Sequence, residues 1–184
     1  MSSDTKFVYM GCDLETTGTL SKSEIIQIGL YIDDDHKYVS DIGHRGAFHW
    51  EAKAFEVNGF DLKRVYNGKP MYNVDAELDE FITKVKQDFN CQSEHILPVG
   101  FNVGSFDIPF IRRDLKLFFS GLGYRSIDLN ALLVVYSNSV DNFNTRKIAL
   151  KEQAKQLITV DGKEHDALYD AELAIRCLNC ITWA

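Results

Sequence analysis

Cysteine is scarce in this 184-residue chain: Cys12, Cys91, Cys177 and Cys180 stand at irregular spacing. So few thiols argue against a disulfide framework. Cys177 and Cys180 form a C-x-x-C, but there is no second pair and the motif falls near the end of a helical stretch. Two thiols on a packed helix are therefore expected, rather than a zinc or redox site. No apolar run is long enough to span a bilayer. The opening MSSDTKFVYMGCD lacks the basic start and following apolar stretch of a secretory signal. The expectation is a cytoplasmic protein with no membrane partner. Repeats and low-complexity linkers are missing too, so residues 1–184 read as one domain. At 45% hydrophobic and 26% charged residues, the composition is that of a globular chain and excludes a disordered one.

Basic residues are also in deficit, and the formal net charge is −7. That argues at first against nucleic acid, but the charge is unevenly spread. Residues 1–110 and 164–184 are acidic (−8 and −3), whereas residues 111–163 carry +4. Divalent cations held by clustered carboxylates would reverse the local field. Net charge therefore does not veto a phosphate-bearing substrate.

Lys6–Cys12 has apolar residues at both parities, as a strand covered on both faces does. Glu24–Ile32 reads as a second strand, and Asp33-Asp34-Asp35 as a turn into a third strand over 37–42, with a continuation to Trp50 open. Ile96–Asn102 and Ser126–Leu129 complete five strands. Leu78, Phe81, Ile82 and Val85 recur at helical spacing within Asn73–Phe89. Ser105 is a candidate N-cap for one helix through Phe119, with Pro109 in its first turn. Further helices are expected at "NALLVVY", Arg146–Leu157 and Asp166–Cys180. Strands first, then strands alternating with helices, predict an α/β fold with a mixed five-stranded sheet flanked by helices.

The informative excess is in carboxylates at element ends. In "YMGCDLETTGTL", Asp13 and Glu15 follow the first apolar run and share one side of any strand, because strand side chains alternate. Two like charges on one covered face repel, and each loses solvation. Asp107 opens the helix after "ILPVGFN". In "EHDALYDAELA", His165 precedes Asp170 by five residues, which on one helix would set them about 140° apart. His165 fits better on the preceding loop, with Asp166 as N-cap and Asp170 one turn inside. Asp107 and Asp170 then both lie near helix N-termini, where the dipole favours negative charge. Four carboxylates and a loop histidine make a set suited to hard cations such as Mg²⁺ or Mn²⁺, two of which would relieve the repulsion at Asp13 and Glu15.

"DLETTG" (13–18), "GFNVGSFDIPFI" (100–111) and "HDALYDAELA" (165–174) resemble, in order, the three motifs of the DEDDh (DnaQ-like) 3′–5′ exonucleases. These are relatives of the proofreading subunit of bacterial DNA polymerase III, with a ribonuclease H-like fold. "EIIQIG" and "FEVNGFD" (55–61) also look like family segments, so the resemblance covers nearly the whole chain. It implies that Asp13, Glu15, Asp107 and Asp170 bind two divalent metal ions, and that His165 is the general base. It places Leu14, Thr16, Val57, Asn58 and Phe106 around the 3′-terminal nucleotide. Asn58 departs from the pattern, standing where the bacterial proofreading subunits carry His. Asp128, in "SIDLNALL", matches an Asp of the family, and a structural role is expected for it.

The implied activity is metal-dependent hydrolysis of terminal phosphodiester bonds, mainly of single-stranded DNA, releasing nucleoside 5′-monophosphates. Trimming of RNA 3′ ends is the alternative within the class, since no residue obviously selects for or against a 2′-OH. A non-catalytic binding module is a third reading, but it would not need all five groups of the site. With no appended tail, a stand-alone enzyme or a subunit held through its own surface is expected, and a DNA polymerase or another replication or repair protein is a candidate partner. Lys147, Lys151 and Lys155 recur every four residues as a basic stripe, read first as a solvated face and second as a contact to the strand backbone. Arg112 and Arg113 raise the same alternative.

Overall fold

The structure, a computed structural model, describes residues 6–137 and 139–182. Residues 1–5, part of the stretch read for a secretory signal, lie outside them. The strands are β1 (Val8–Thr16), β2 (Ile25–Tyr31), β3 (Lys37–Gly43), β4 (Lys69–Pro70), β5 (Ile96–Gly100) and β6 (Ile127–Asp128). They form one mixed sheet in the order β4-β3-β2-β1-β5-β6. β1, β2 and β3 run antiparallel in succession, and β5 and β6 extend the other edge in parallel. The helices are α1 (Ala52–Asn58), α2 (Leu62–Asn67), α3 (Met71–Asp88), α4 (Asp107–Asp114), α5 (Lys116–Gly121), α6 (Leu129–Tyr136), α7 (Val140–Lys155) and α8 (Ala167–Thr182). Among the described residues, no helix is long and apolar enough to cross a membrane.

The alternation of β1 sorts its side chains between two cores. Val8, Met10, Cys12 and Leu14 point to one face and pack with Val74, Leu78, Ile82 and Val85 of α3, Ile111 of α4 and Phe118 of α5. The opposite parity holds Gly11, Asp13 and Glu15. On that side Tyr31 and Val99 pack with Leu133 of α6, Leu150 of α7, and Ala171, Ala174 and Ile175 of α8. α8 can lie close to the sheet because glycine and alanine meet there. A Cβ on Gly11 would overlap the Ala171 carbonyl, and one on Gly29 would overlap the backbone of Ala167. Gly29 sits opposite Asp13 in the β1/β2 register, and Gln27 opposite Glu15. Gln27 also ties down the start of α8, its Oε1 accepting from the Ala167 N–H at 2.9 Å.

Five strands are as expected; the sixth, β4, pairs only Lys69 and Pro70 with Ile42 and Gly43 at the sheet edge. β3 ends at Gly43 and does not run on to Trp50. The single helix expected through Phe119 is two. The chain breaks at Leu115 (φ −115°, ψ 69°), and the buried Asp75 of α3 accepts from the N–H groups of Leu117 and Phe118 at 3.1 and 3.0 Å. That carboxylate satisfies orphan donors of α5, which a continuous helix would not expose. Ser105 does not cap α4; its hydroxyl donates to the Asn102 carbonyl. α7 starts at Val140, six residues earlier than expected, with Ser139 accepting from the Asn142 N–H. Asp128 has the structural role expected of it: its Oδ1 accepts from the N–H groups of Asn102, Asn130 and Ala131, capping α6 and bracing the end of β5. The two thiols do sit on a packed helix, α8, with Cys177 buried.

Gly29→Ala is expected to force α8 off β2. Overpacking of a close contact costs about 1–3 kcal/mol, so urea denaturation should show a lower midpoint by that margin. A midpoint equal to wild type would mean that the α8–sheet contact does not depend on the missing Cβ.

Candidate active site

The sharp turn after β1 opens a cleft of ≈ 360 Å³ between β1, α1, the start of α4 and the start of α8. A bulge between Glu15 and Thr16 ends the regular pairing of β1 and β2, and such irregularities re-aim side chains at strand ends. Thr16 Oγ1 donates to the Gly18 carbonyl at 2.7 Å, and Asn58 Nδ2 donates to the Thr16 carbonyl at 3.2 Å. Asn58 Oδ1 in turn accepts from the Phe60 N–H. Asn58 is thereby buried as a brace between α1 and the end of β1.

Asp13, Leu14, Glu15, Thr16, Val57, Asn58, Phe106, His165 and Asp170 all line this cleft. Asp107 lies behind it, 3% exposed, accepting from the backbone N–H of Leu14 and acting as the strongest charged neighbour of Asp13. The structure therefore brings together all ten residues singled out in the sequence. Val57 is exposed, Leu14 buried, and Phe106 half-buried against Phe110 at 5.1 Å between ring centroids.

His165 stands outside α8, as its spacing from Asp170 required. Its φ of 69° places it in the left-handed region. Its backbone N–H donates to Asp170 Oδ2 at 2.7 Å, and Asp166 Oδ1 accepts from the Leu168 N–H at 3.3 Å. Ligand atoms of Glu15, His165 and Asp170 lie within 4.8 Å of one another.

The electrostatics are those of an under-neutralised cluster. Burial, then repulsion from Asp107, Asp170 and Glu15, pushes the Asp13 carboxyl well above the usual range, and Lys151 partly opposes this. Burial raises Glu15 from 4.5 to about 8, with Asp170 and Asp166 adding to it, while the Asn58 amide favours the charged form. Burial likewise carries Asp107 to about 8 and lifts Asp170. For Glu15 the shift amounts to roughly 5 kcal/mol of preference for the neutral form. A divalent cation would reverse that preference. The donors are oxygens with one imidazole, a set that fits Mg²⁺ or Mn²⁺ and lacks the thiolates usual at a structural zinc.

Lys151, one of the basic stripe, also lines the cleft, and sequence reasoning missed Glu164, Phe101 and Glu51, which line it too. Phe101 lies inside the quoted "GFNVGSFDIPFI" segment, directly after the strand that ends at Gly100, and that place was a usable signal. Arg113 is engaged elsewhere: its guanidinium donates to the carbonyls of Ser21 and Ser23 and to Asp114, pinning the turn after β1 to α4. Arg112 stacks on Phe119 at 5.1 Å.

The sheet order and flanking helices define a ribonuclease H-like α/β fold shared with nucleases. Escherichia coli exonuclease I in a zinc-bound complex with single-stranded DNA superposes with a TM-score of 0.64 at 16% identity, over 96% of this chain and 41% of that one. The same enzyme with a dT13 oligonucleotide gives 0.67 at 14% identity, over 96% and 41%. Cell-death related nuclease 4 gives 0.66 at 13% identity, over 97% and 65%. The chain thus spans about two-fifths of the length of exonuclease I, and at these identities the likeness is one of fold. No known family's sequence pattern matches the chain, and no curated protein does.

The cluster makes the metal-free protein pH-sensitive. A carboxyl raised on folding binds more protons in the native state, so stability falls as pH rises between the unfolded value and about 8 for Glu15 and Asp107. His36, raised by Asp88 and Asp33 against its burial, contributes the same sign. The metal-induced rise in Tm isolates the cluster: it is expected to be larger at pH 8 than at pH 5.5 for Mn²⁺ or Mg²⁺, with protons released on binding. Equal rises at the two pH values would contradict this.

Proposed function

We propose that the chain is a metal-dependent 3′–5′ exonuclease that hydrolyses the terminal phosphodiester bond of single-stranded DNA and releases nucleoside 5′-monophosphates. The observation that carries this reading is the convergence of Asp13, Glu15, Asp170 and His165 in one cleft with Asp107 immediately behind. The fold likeness to an exonuclease seen with single-stranded DNA supports it. A pure binding module has no use for carboxylates whose mutual repulsion is left uncompensated.

Asp13, Glu15, Asp107 and Asp170 would hold two divalent ions, Mg²⁺ or Mn²⁺. When bound, these supply an activated water and neutralise charge developing on the phosphodiester oxygens. His165 takes the proton of the attacking water on a ring nitrogen; its exposed loop position lets the ring reach both cleft and solvent. As the water oxygen bonds to phosphorus, the bond to the 3′ oxygen of the penultimate nucleotide breaks, and that oxygen takes a proton from solvent water as it leaves. Leu14, Val57 and Phe106 offer apolar contact to the terminal base and sugar, tolerant of sequence because every base has an apolar face. Thr16 and Asn58 shape the floor of that pocket. Four free cysteines fit a reducing, cytoplasmic setting.

Asp13→Asn is expected to abolish Mg²⁺- or Mn²⁺-dependent release of mononucleotides from a 5′-labelled oligonucleotide. It should not lower metal-free Tm at pH 8, because it removes a repelled charge. His165→Ala is expected to lower kcat by about 10²–10⁴ with little change in KM. Parallel assays on single-stranded DNA and RNA of one sequence read the preference. Full activity in Asp13→Asn would refute the site, and a His165→Ala defect confined to KM would refute the general base.

A further inference from the structure

The lysine stripe of α7 is not one surface. Lys155 is paired, its Nζ lying 2.8 Å from Glu152 and 3.4 Å from Glu164. Lys147 and Lys151 instead share a single aromatic ring, with Nζ atoms 4.9 and 5.0 Å from the centroid of Phe101. Phe101 and Lys151 line the cleft, and Phe101 directly follows β5. Lys151 has one carboxylate partner, Glu164 at 3.5 Å, which Lys155 also holds. Lys147 makes no ion pair among the described residues, although it is half-buried between Phe101 and Phe143.

We infer that Lys147 and Lys151, seated on Phe101, receive phosphodiester groups of the strand whose 3′ end lies in the acidic cleft. The inference rests on the proposed nuclease reading and adds the wall that binds the strand backbone. Two ammonium groups on one ring repel each other. Lys151 is partly offset by Glu164 and faces Asp13 and Asp170 of the cleft, whereas Lys147 forms no ion pair among the described residues. An anion placed between the two ammonium groups relieves their repulsion. A polyanion is attracted here and repelled by the metal-free acidic cluster a short distance away. Its backbone would therefore lie on the α7 side, with only the terminal linkage reaching the carboxylates. Phe101 holds the two stems apart and offers cation–π contact that keeps each ammonium oriented without neutralising it. Lys155 is excluded by its pairing.

The test is binding of a labelled dT oligonucleotide in EDTA, which keeps the strand intact, followed over a range of salt. Each phosphate contact contributes about 0.7 to the slope of log K against log salt for a single strand. Lys147→Gln and Lys151→Gln are each expected to reduce the slope by about that amount and to weaken low-salt binding roughly 5-fold. Lys147→Arg and Lys151→Arg restore the slope, and Lys155→Gln leaves it unchanged. An uncharged methylphosphonate at the contacted linkage should make Lys151→Gln cost nothing further. Unchanged slopes in both Gln variants would overturn the inference, as would an equal loss in Lys155→Gln. The nuclease reading fails separately: slopes lost as expected in a protein that hydrolyses no strand sink that reading and leave this wall standing. Hydrolysis with unaltered slopes does the reverse.

Discussion

The close approach of α8 to β1 and β2 is the constraint on which the rest of the architecture depends. Asp170 is placed by a helix and Asp13 and Glu15 by a strand, and these elements are more than 150 residues apart in the chain. They meet because Gly11 and Gly29 remove the side chains that would hold α8 away, and Ala167 and Ala171 keep the facing surface small. Gly11, Asp13 and Glu15 share one parity of β1, so the same alternation that clears space for the helix presents the carboxylates to it. Gln27 then fixes the first turn of α8 by accepting from Ala167. Packing at this seam and geometry at the cleft are therefore one problem. A methyl group at Gly29 would both strain the core and shift a carboxylate opposite Asp13.

The cleft itself is held in electrostatic tension. Glu15 and Asp107 are driven toward neutrality by burial, and Asp13 by burial and three carboxylate neighbours. Four features moderate the tension without ending it: the Asn58 amide beside Glu15, the Leu14 N–H on Asp107, the His165 N–H on Asp170, and Lys151 facing Asp13 and Asp170. Each is a single donor or a distant charge. Divalent cations would act on all four carboxylates at once, which supports the proposed metal site over a structural ion network. Structural networks in the same molecule look different. Glu172 is fully buried, yet it accepts from Thr159, Val160 and Arg176, so burial there is compensated and its carboxyl stays below the usual range.

Much of this was legible in the sequence because the decisive residues sit at ends of strongly patterned elements. Both parities of β1 are apolar up to Asp13, and the five-residue spacing from His165 to Asp170 is incompatible with one helix face. What escaped was set by distant partners. The break between α4 and α5 depends on Asp75 from α3, more than 40 residues earlier, and no local pattern at Leu115 announces it. α1 is seven residues long with its exposed and buried positions unstriped, so "AKAFEVN" carries no helical period. β4 is two residues ending in proline, too short for any alternation. Lys147, Lys151 and Lys155 are indistinguishable as an i, i+4, i+8 series. Only the packing of α7 separates the two that share the Phe101 ring from Lys155, which two carboxylates hold.

The placement of His165 follows from a division between covered and exposed parts of the site. Glu15 and Asp107 are buried and Asp13 and Asp170 half-buried, on a central strand and on the first turns of two helices. His165 is instead exposed and outside the helix, in a left-handed backbone conformation that costs a non-glycine residue about 1–2 kcal/mol. The cost is offset by its own N–H, which donates to Asp170, and by Asp166 capping the helix that follows. The loop therefore holds the histidine backbone against a carboxylate of the cluster while its ring stays accessible to water. Removing the Asp170 carboxylate would consequently disturb both a proposed cation ligand and the anchor of the proposed base. Asp170→Asn, which keeps an acceptor oxygen for that N–H, separates the two roles where Asp170→Ala does not.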